Sequence, residues 1–148
     1  MISMRHFGIT VCDLDRSLEF YESLGFRVEK RMLESGECID SFSGLDGIEV
    51  TTAKLKDPNN SDVMLELLEY HSHKDPEPET NLSRPIFKVG CSHFAVTVSD
   101  LDNVYSQLSE KGTVFNCEPV LSPDGNVKLT FCRDPDGNLI EMVQPLNV

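Results

Sequence analysis

Two histidines and two glutamates stand out by type and by place. His6 opens the alternating stretch His6-Phe7-Gly8-Ile9-Thr10-Val11, and His93 opens His93-Phe94-Ala95-Val96-Thr97-Val98. Glu66 is enclosed in Met64-Leu65-Glu66-Leu67-Leu68, and Glu141 in Leu139-Ile140-Glu141-Met142-Val143. Strands apolar on both faces are mostly buried, and an ionised carboxylate there is costly without a partner. Each Glu therefore requires a cation, a hydrogen-bonding network or a route to water. Neutral imidazole nitrogens and carboxylate oxygens together suit a divalent first-row metal, and an ion completed by water leaves positions open to a substrate. Singly, each residue has a plainer explanation. A strand His is usually structural, and a Glu in an apolar strand often points out from an edge or pairs with Arg. Recurrence of all four at matched places favours one shared site.

The elements that position them come in two copies. His, Phe, Thr, Val, Asp, Leu and Asp recur in order from His6 to Asp15 and from His93 to Asp102, and Gly25 falls opposite Gly112. Such a repeat means one supersecondary unit used twice. In each copy Phe7, Ile9 and Val11, or Phe94, Val96 and Val98, share one strand face. The opposite face carries His6, Gly8 and Thr10, or His93, Ala95 and Thr97. These small neighbours leave room for a cavity wall, with Thr10 and Thr97 on it and Tyr70 at the end of a later strand. Asp13 or Asp15 is placed to cap a helix with Leu14, Leu18, Tyr21 and Leu24 inward, stopped at Gly25. The second helix carries Leu101, Val104, Tyr105 and Leu108 and stops at Gly112. Alternation predicts strands from Phe26 to Leu33, Glu37 to Ser43, Ile48 to Lys56 and Val63 to Tyr70, then around Phe115, Val120, Leu129 and Leu139 to Val143. Asp57 to Asp62 and Asp134 to Asn138 are turns of one kind. Residues 71–85, rich in Pro, Glu, His and Asn, form an aperiodic linker. The expected architecture is α+β: a single domain over 1–148, with modules over 1–72 and 89–148 joined by a linker over 73–88.

At 148 residues such a domain buries roughly 70% of its unfolded surface. No apolar run is long enough to cross a membrane. The N-terminus lacks the apolar core of a signal peptide, so a cytoplasmic location is expected. Five cysteines, odd in number and without a C-x-x-C pair, fit free thiols in a reducing compartment. Cys12 and Cys91 are expected to line the core as small hydrophobes. His71 and His73 flank the linker and are not expected to ligate metal. A net charge of −12 argues against nucleic acid. It leaves room for a small anion in a locally basic pocket, for which Arg5, Arg84, Lys88, Lys128 and Arg133 are available.

At these residues the chain resembles the vicinal oxygen chelate superfamily, which includes glyoxalase I, methylmalonyl-CoA epimerase, extradiol dioxygenases and bleomycin-sequestering proteins. The likeness runs over nearly the whole chain. It rests on His6 to Leu14, Phe20-Tyr21, Leu24-Gly25-Phe26, Leu65-Glu66-Leu67, His93-Phe94 and Asp134-Pro135-Asp136-Gly137-Asn138 with Glu141. The resemblance implies paired βαβββ modules whose mixed sheets form an open, incomplete barrel around one divalent metal (Ni, Co, Zn, Mn or Fe). Its ligands would be His6, Glu66, His93 and Glu141. The His-Glu-His-Glu set is most similar to bacterial glyoxalase I and to the epimerases, which implies proton transfer beside a metal-bound carbonyl of a small-molecule substrate. Glu66 and Glu141 would be the catalytic acid and base, with Glu141 favoured as base. Where glyoxalase I holds glutathione with an Arg and an Asn, this chain has Thr10 and the Glu69-Tyr70 region, so another carbonyl substrate is expected. An Fe(II) extradiol-type dioxygenase and a metal-free binding protein of the bleomycin-resistance kind are the alternatives. Such modules close a site within one chain or across a homodimer.

Overall fold

The computed structural model of the chain describes residues 1–59 and 61–146. It divides into two compact units, Met1–Pro78 and Glu79–Val148.

The first unit runs β1 (His6–Thr10), α1 (Leu14–Ser23), β2 (Arg27–Ser35), α2 (Glu37–Ser43), β3 (Glu49–Lys56) and β4 (Met64–Tyr70). Its sheet has the order β1-β4-β3-β2, with β1 parallel to β4 and the other pairs antiparallel. The second runs β5 (His93–Thr97), α3 (Leu101–Glu110), β6 (Val120–Leu121), β7 (Val127–Arg133) and β8 (Leu139–Pro145). Its order is β5-β8-β7-β6 with the same directions. The fold is α+β, built on two open four-stranded mixed sheets. Among the described residues no helix is long and apolar enough to cross a membrane.

Identical local chemistry builds both βα corners. Asp13 accepts from Arg16 N at 3.0 Å, and Asp100 accepts from Asn103 N at 3.1 Å, each capping its helix. Both helices end in a glycine with positive φ, +94° at Gly25 and +87° at Gly112. Beyond it the next N–H reaches back a full turn, Phe26 N to Tyr21 O and Thr113 N to Leu108 O. Leu14, Leu18 and Tyr21 of α1, and Leu101 and Leu108 of α3, are buried. So are Ile9, Ala53, Leu55, Leu65 and Leu67 in the first sheet and Cys132, Ile140 and Met142 in the second. The register gives these sheet residues the face opposite the histidines.

Several elements differ from the sequence reading. Glu37–Ser43, expected as a strand, is helix α2. Asp40 N donates to Gly36 O and Gly44 N donates to Asp40 O, while the Asp40 carboxylate accepts from Gly47 N and Ile48 N, both at 2.9 Å. Those backbone donors hold the Asp40 carboxyl below its ordinary value. Glycines at both ends, with positive φ, let the chain turn into and out of this short helix. Cys12 and Cys91, expected in the core, are exposed. Each lies two residues outside a strand, Cys12 after β1 and Cys91 before β5, beyond the paired residues, and Cys132 is the buried thiol. Phe115 joins no strand and makes an isolated bridge to Cys132, and β6 has just two residues.

The stretch read as linker is partly structured. Pro78–Ser83 forms a 3-10 turn. Asn81 Nδ2 donates to Asp136 O at 2.8 Å and Asn138 Oδ1 at 3.2 Å. The Arg133 guanidinium donates to the carbonyls of Gly137, Asn81 and Arg84, and the Arg84 guanidinium to those of Cys91, Lys88 and Val89. This strap lies against the Asp134–Asn138 turn, whose Asp134 carboxylate accepts from Asp136 N and Asn138 N, both at 2.9 Å. Asp57 does the same for Asn59 N and Ser61 N in the first unit, although Asn60 of that turn lies outside the described residues.

Candidate metal centre

Parallel pairing of first and last strands brings each His to its own Glu. In the first sheet His6 is opposite Met64 and Gly8 is opposite Glu66, so the His6 and Glu66 side chains lie on one face, diagonally adjacent. His6 Nε2 is 3.1 Å from Glu66 Oε2. In the second, His93 is opposite Leu139 and Ala95 opposite Glu141. There His93 Nε2 is 3.3 Å from Glu141 Oε2. Gly8 and Ala95, directly across from the glutamates, keep that space clear.

The surroundings of the two pairs differ. Lys54 stands opposite Glu66 on β3 and puts Nζ 3.7 Å from Glu66 Oε1, so both oxygens of that carboxylate face a nitrogen. The matched place in the second sheet is Phe131, whose ring meets the His93 imidazole edge-on at 5.0 Å. Glu66 is the more enclosed, its side chain 12% exposed against 26% for Glu141. Ser92 Oγ lies 2.9 Å from His93 Nδ1. When that hydroxyl accepts, Nε2 is left as the lone-pair nitrogen facing an acceptor carboxylate, and two acceptors at that range need a proton or cation between them.

Both separations fit donors to a common ion. Ligands about 2.0–2.2 Å from a first-row metal lie about 3.0 Å apart at a right angle and about 3.4 Å apart at the tetrahedral angle. The donor types fit the same ions. Among the described residues no group of three or more His, Cys, Asp or Glu side chains is placed to hold a metal, so each pair supplies two donors by itself.

The remaining sequence candidates lie further off. Thr10 and Thr97 are exposed, on the same faces as His6 and His93, and Tyr70 is half-buried at the end of β4. His71 Nε2 meets Thr51 Oγ1 at 2.7 Å, and His73 Nδ1 meets Ser72 Oγ at 2.9 Å. Sequence reasoning passed over Lys54, Ser92 and Phe131, which only the register or a neighbouring contact brings to the pairs. It also passed over Glu69 and Gln144. Glu69 Oε2 accepts from Leu14 N at 2.9 Å and Gln144 Oε1 from Leu101 N at 2.8 Å, each locking the strand that carries the glutamate to its helix. Their signal was present: each stands three residues after its Glu.

The profile of the glyoxalase/bleomycin resistance protein/dioxygenase superfamily matches residues 3–142. The chain belongs to this superfamily. Among its relatives, the uncharacterised protein YurT of Bacillus subtilis is 31% identical over 93% of this chain and 94% of its own length. A probable lactoylglutathione lyase of Synechocystis is 29% identical over 94% of this chain and 92% of that protein. The lactoylglutathione lyase of Schizosaccharomyces pombe is also 29% identical, but the chain spans only 46% of its length. Among solved structures, a glyoxalase family protein from Bacillus cereus superposes with a TM-score of 0.87 at 25% identity, covering 99% of this chain and 96% of that one. Maize glyoxalase I shares the fold at a TM-score of 0.65 and 22% identity, with 97% of this chain covering 47% of that one.

Proposed function

We propose that this glyoxalase-superfamily chain is a metal-dependent lyase, isomerase or epimerase that moves a proton at the carbon next to a carbonyl of a small substrate. The observation carrying this reading is the repeated His–Glu pair, with ligand-like separations of 3.1 and 3.3 Å. His6, Glu66, His93 and Glu141 would hold one divalent ion, within a chain or across two copies. When bound, that ion would draw electron density from the substrate carbonyl and make the neighbouring C–H more acidic.

Glu141 is the group that takes the proton. Its side chain is the more open of the two, and among the described residues His93 is its one ionic partner. Glu66, flanked by His6 and Lys54, is held in place and serves as the anionic counterpart. Ser92 and Phe131 fix the His93 ring, and through it the direction of the Glu141 carboxylate.

The named lyases suggest a glutathione adduct, but this chain's residues favour another carbonyl compound. Thr10 stands where an Arg would hold glutathione, and the Glu69 carboxylate is engaged by the Leu14 N–H. The decisive test is Glu141→Gln in D2O, after screening 2-oxo thioesters, acyl-CoA epimers and catechols for turnover. The variant should keep its fold and bound metal and lose solvent deuterium incorporation by at least about a hundredfold, the scale of a general base. Undiminished exchange would reject the assignment, and oxygen uptake with a catechol would replace it by dioxygenase chemistry.

A further inference from the structure

The first sheet carries a cationic corner that the sequence does not display. Around Arg27 strict alternation would put Arg27 and Lys30 on opposite faces. The β2–β3 ladder slips by one residue between Val28 and Lys30, and this bulge returns both to the same side. Arg27 is then opposite Lys56, and Lys30 opposite Lys54. Lys54 is in turn opposite Glu66, and Lys56, on the same face of β3, lies one position beyond the last paired residues of that ladder, Leu55 and Leu65. The face the pair occupies therefore carries Lys54 and Lys30 in the Glu66 row and the Lys56–Arg27 pair in the row beside it.

Four of the chain's 13 Lys and Arg residues, in a molecule of net charge −12, occupy these two rows. Lys54 pairs with Glu66, while Lys30 and Lys56 have no ion-pair partner among the described residues. On the opposite face the neighbouring Arg31 donates to Asp15 of α1 at 2.7 Å, so a carboxylate is supplied where the cation has no other task. Asp57, next to Lys56, accepts from Asn59 N, Ser61 N and the Ser61 hydroxyl within its own turn. The cations expected from the sequence to take an anion are partly committed: Lys128 pairs with Asp102, and Arg84 and Arg133 hold backbone carbonyls.

We infer that Lys30, Lys54 and Lys56, with Arg27, form a subsite for an anionic group on the substrate, a carboxylate or a phosphate. Strand spacing of about 4.8 Å places Lys54 one strand and Lys30 two strands from Glu66, so the anion sits about 5–10 Å from the His6–Glu66 pair. The substrate class narrows to a carbonyl compound with a negative group several bonds away. As a refinement of substrate choice this rests on the proposed function, whereas the subsite itself stands on the register alone.

The test titrates inorganic phosphate into EDTA-treated, 15N-labelled protein and follows backbone amide shifts, with zinc affinity measured separately on the same samples. Saturable shifts at residues 27–30 and 54–56 are expected, with phosphate affinity at least tenfold weaker in the Lys30→Gln/Lys56→Gln variant. The Lys74→Gln/Lys88→Gln control should bind phosphate like the parent. Shifts scattered over all surface cations, or equal affinity in both variants, would overturn the subsite. Loss of zinc binding in the parent would count against the metal reading and leave the phosphate result interpretable.

Discussion

Gly137→Ala tests the packing of the strap against the turn that leads into the Glu141 strand. Gly137 has φ +86°, and a Cβ there would lie 2.6 Å from Leu82 Cα, 2.7 Å from Asn81 O and 2.8 Å from Asn81 C. None of these is the end of a flexible side chain. The turn is held by Arg133 on Gly137 O and by Asn81 on Asp136 O, so relief by movement breaks hydrogen bonds. A left-handed alanine costs about 1–2 kcal/mol. Overpacking of fixed atoms adds about 1–3 kcal/mol. Gly112 is the control within the same unit, because its φ is +87° but a Cβ would meet nothing within 4 Å. Gly112→Ala should therefore lose only the conformational part, about 1–2 kcal/mol. The chain has no Trp, so urea unfolding is followed by far-ultraviolet circular dichroism. Gly137→Ala should lower the midpoint further than Gly112→Ala, by the equivalent of about 1–3 kcal/mol. Equal losses in the two variants would refute the packing of residues 81–82 against the turn.

Glu69→Ala and Gln144→Ala should each destabilise by about 1 kcal/mol through the stranded N–H of Leu14 or Leu101, with Glu69→Gln retaining most of the stability. Unchanged unfolding midpoints would show that these side chains do not hold the helices. Burial pushes the Cys132 thiol up to about 12, helped by the Asp134 carboxylate. Dithionitrobenzoate should titrate four cysteines in the folded protein and the fifth only on unfolding, and five fast thiols would contradict the burial. Because the folded value is raised, this thiol's contribution is fully present below the unfolded value of about 9 and is lost as pH rises from there towards 12. Cys132→Ala should flatten that alkaline decline in stability, and an unaltered slope would exclude the thiol as its cause.

The duplicated strands and the two His–Glu pairs were legible because period-2 alternation and repetition survive in the residues themselves. His6 and Glu66, far apart in sequence, required only that first and last strands of a module be neighbours. Helix α2 was not legible as a helix, since its hold comes from the Asp40 carboxylate reaching forward to Gly47 and Ile48 rather than from an apolar stripe. The cationic corner was hidden for another reason: a one-residue bulge changes which side chains share a face, and nothing near Val28 announces it. Residues 78–91 lack periodicity because Asn81, Arg84 and Arg133 anchor them through backbone carbonyls, which any sequence provides. Lys54 and Phe131, equivalent in the ladders yet unlike in chemistry, show where the two copies have diverged.

The most direct test of the two His–Glu pairs is calorimetric titration of the metal-free protein with zinc, nickel and cobalt, run in parallel on His6→Ala and His93→Ala. One ion per chain is predicted, with each single substitution, although in a different unit, weakening it by more than about a hundredfold, the upper end of what loss of an outer partner costs. Tight binding that survives either substitution, or two ions bound independently, would contradict a centre shared by both pairs.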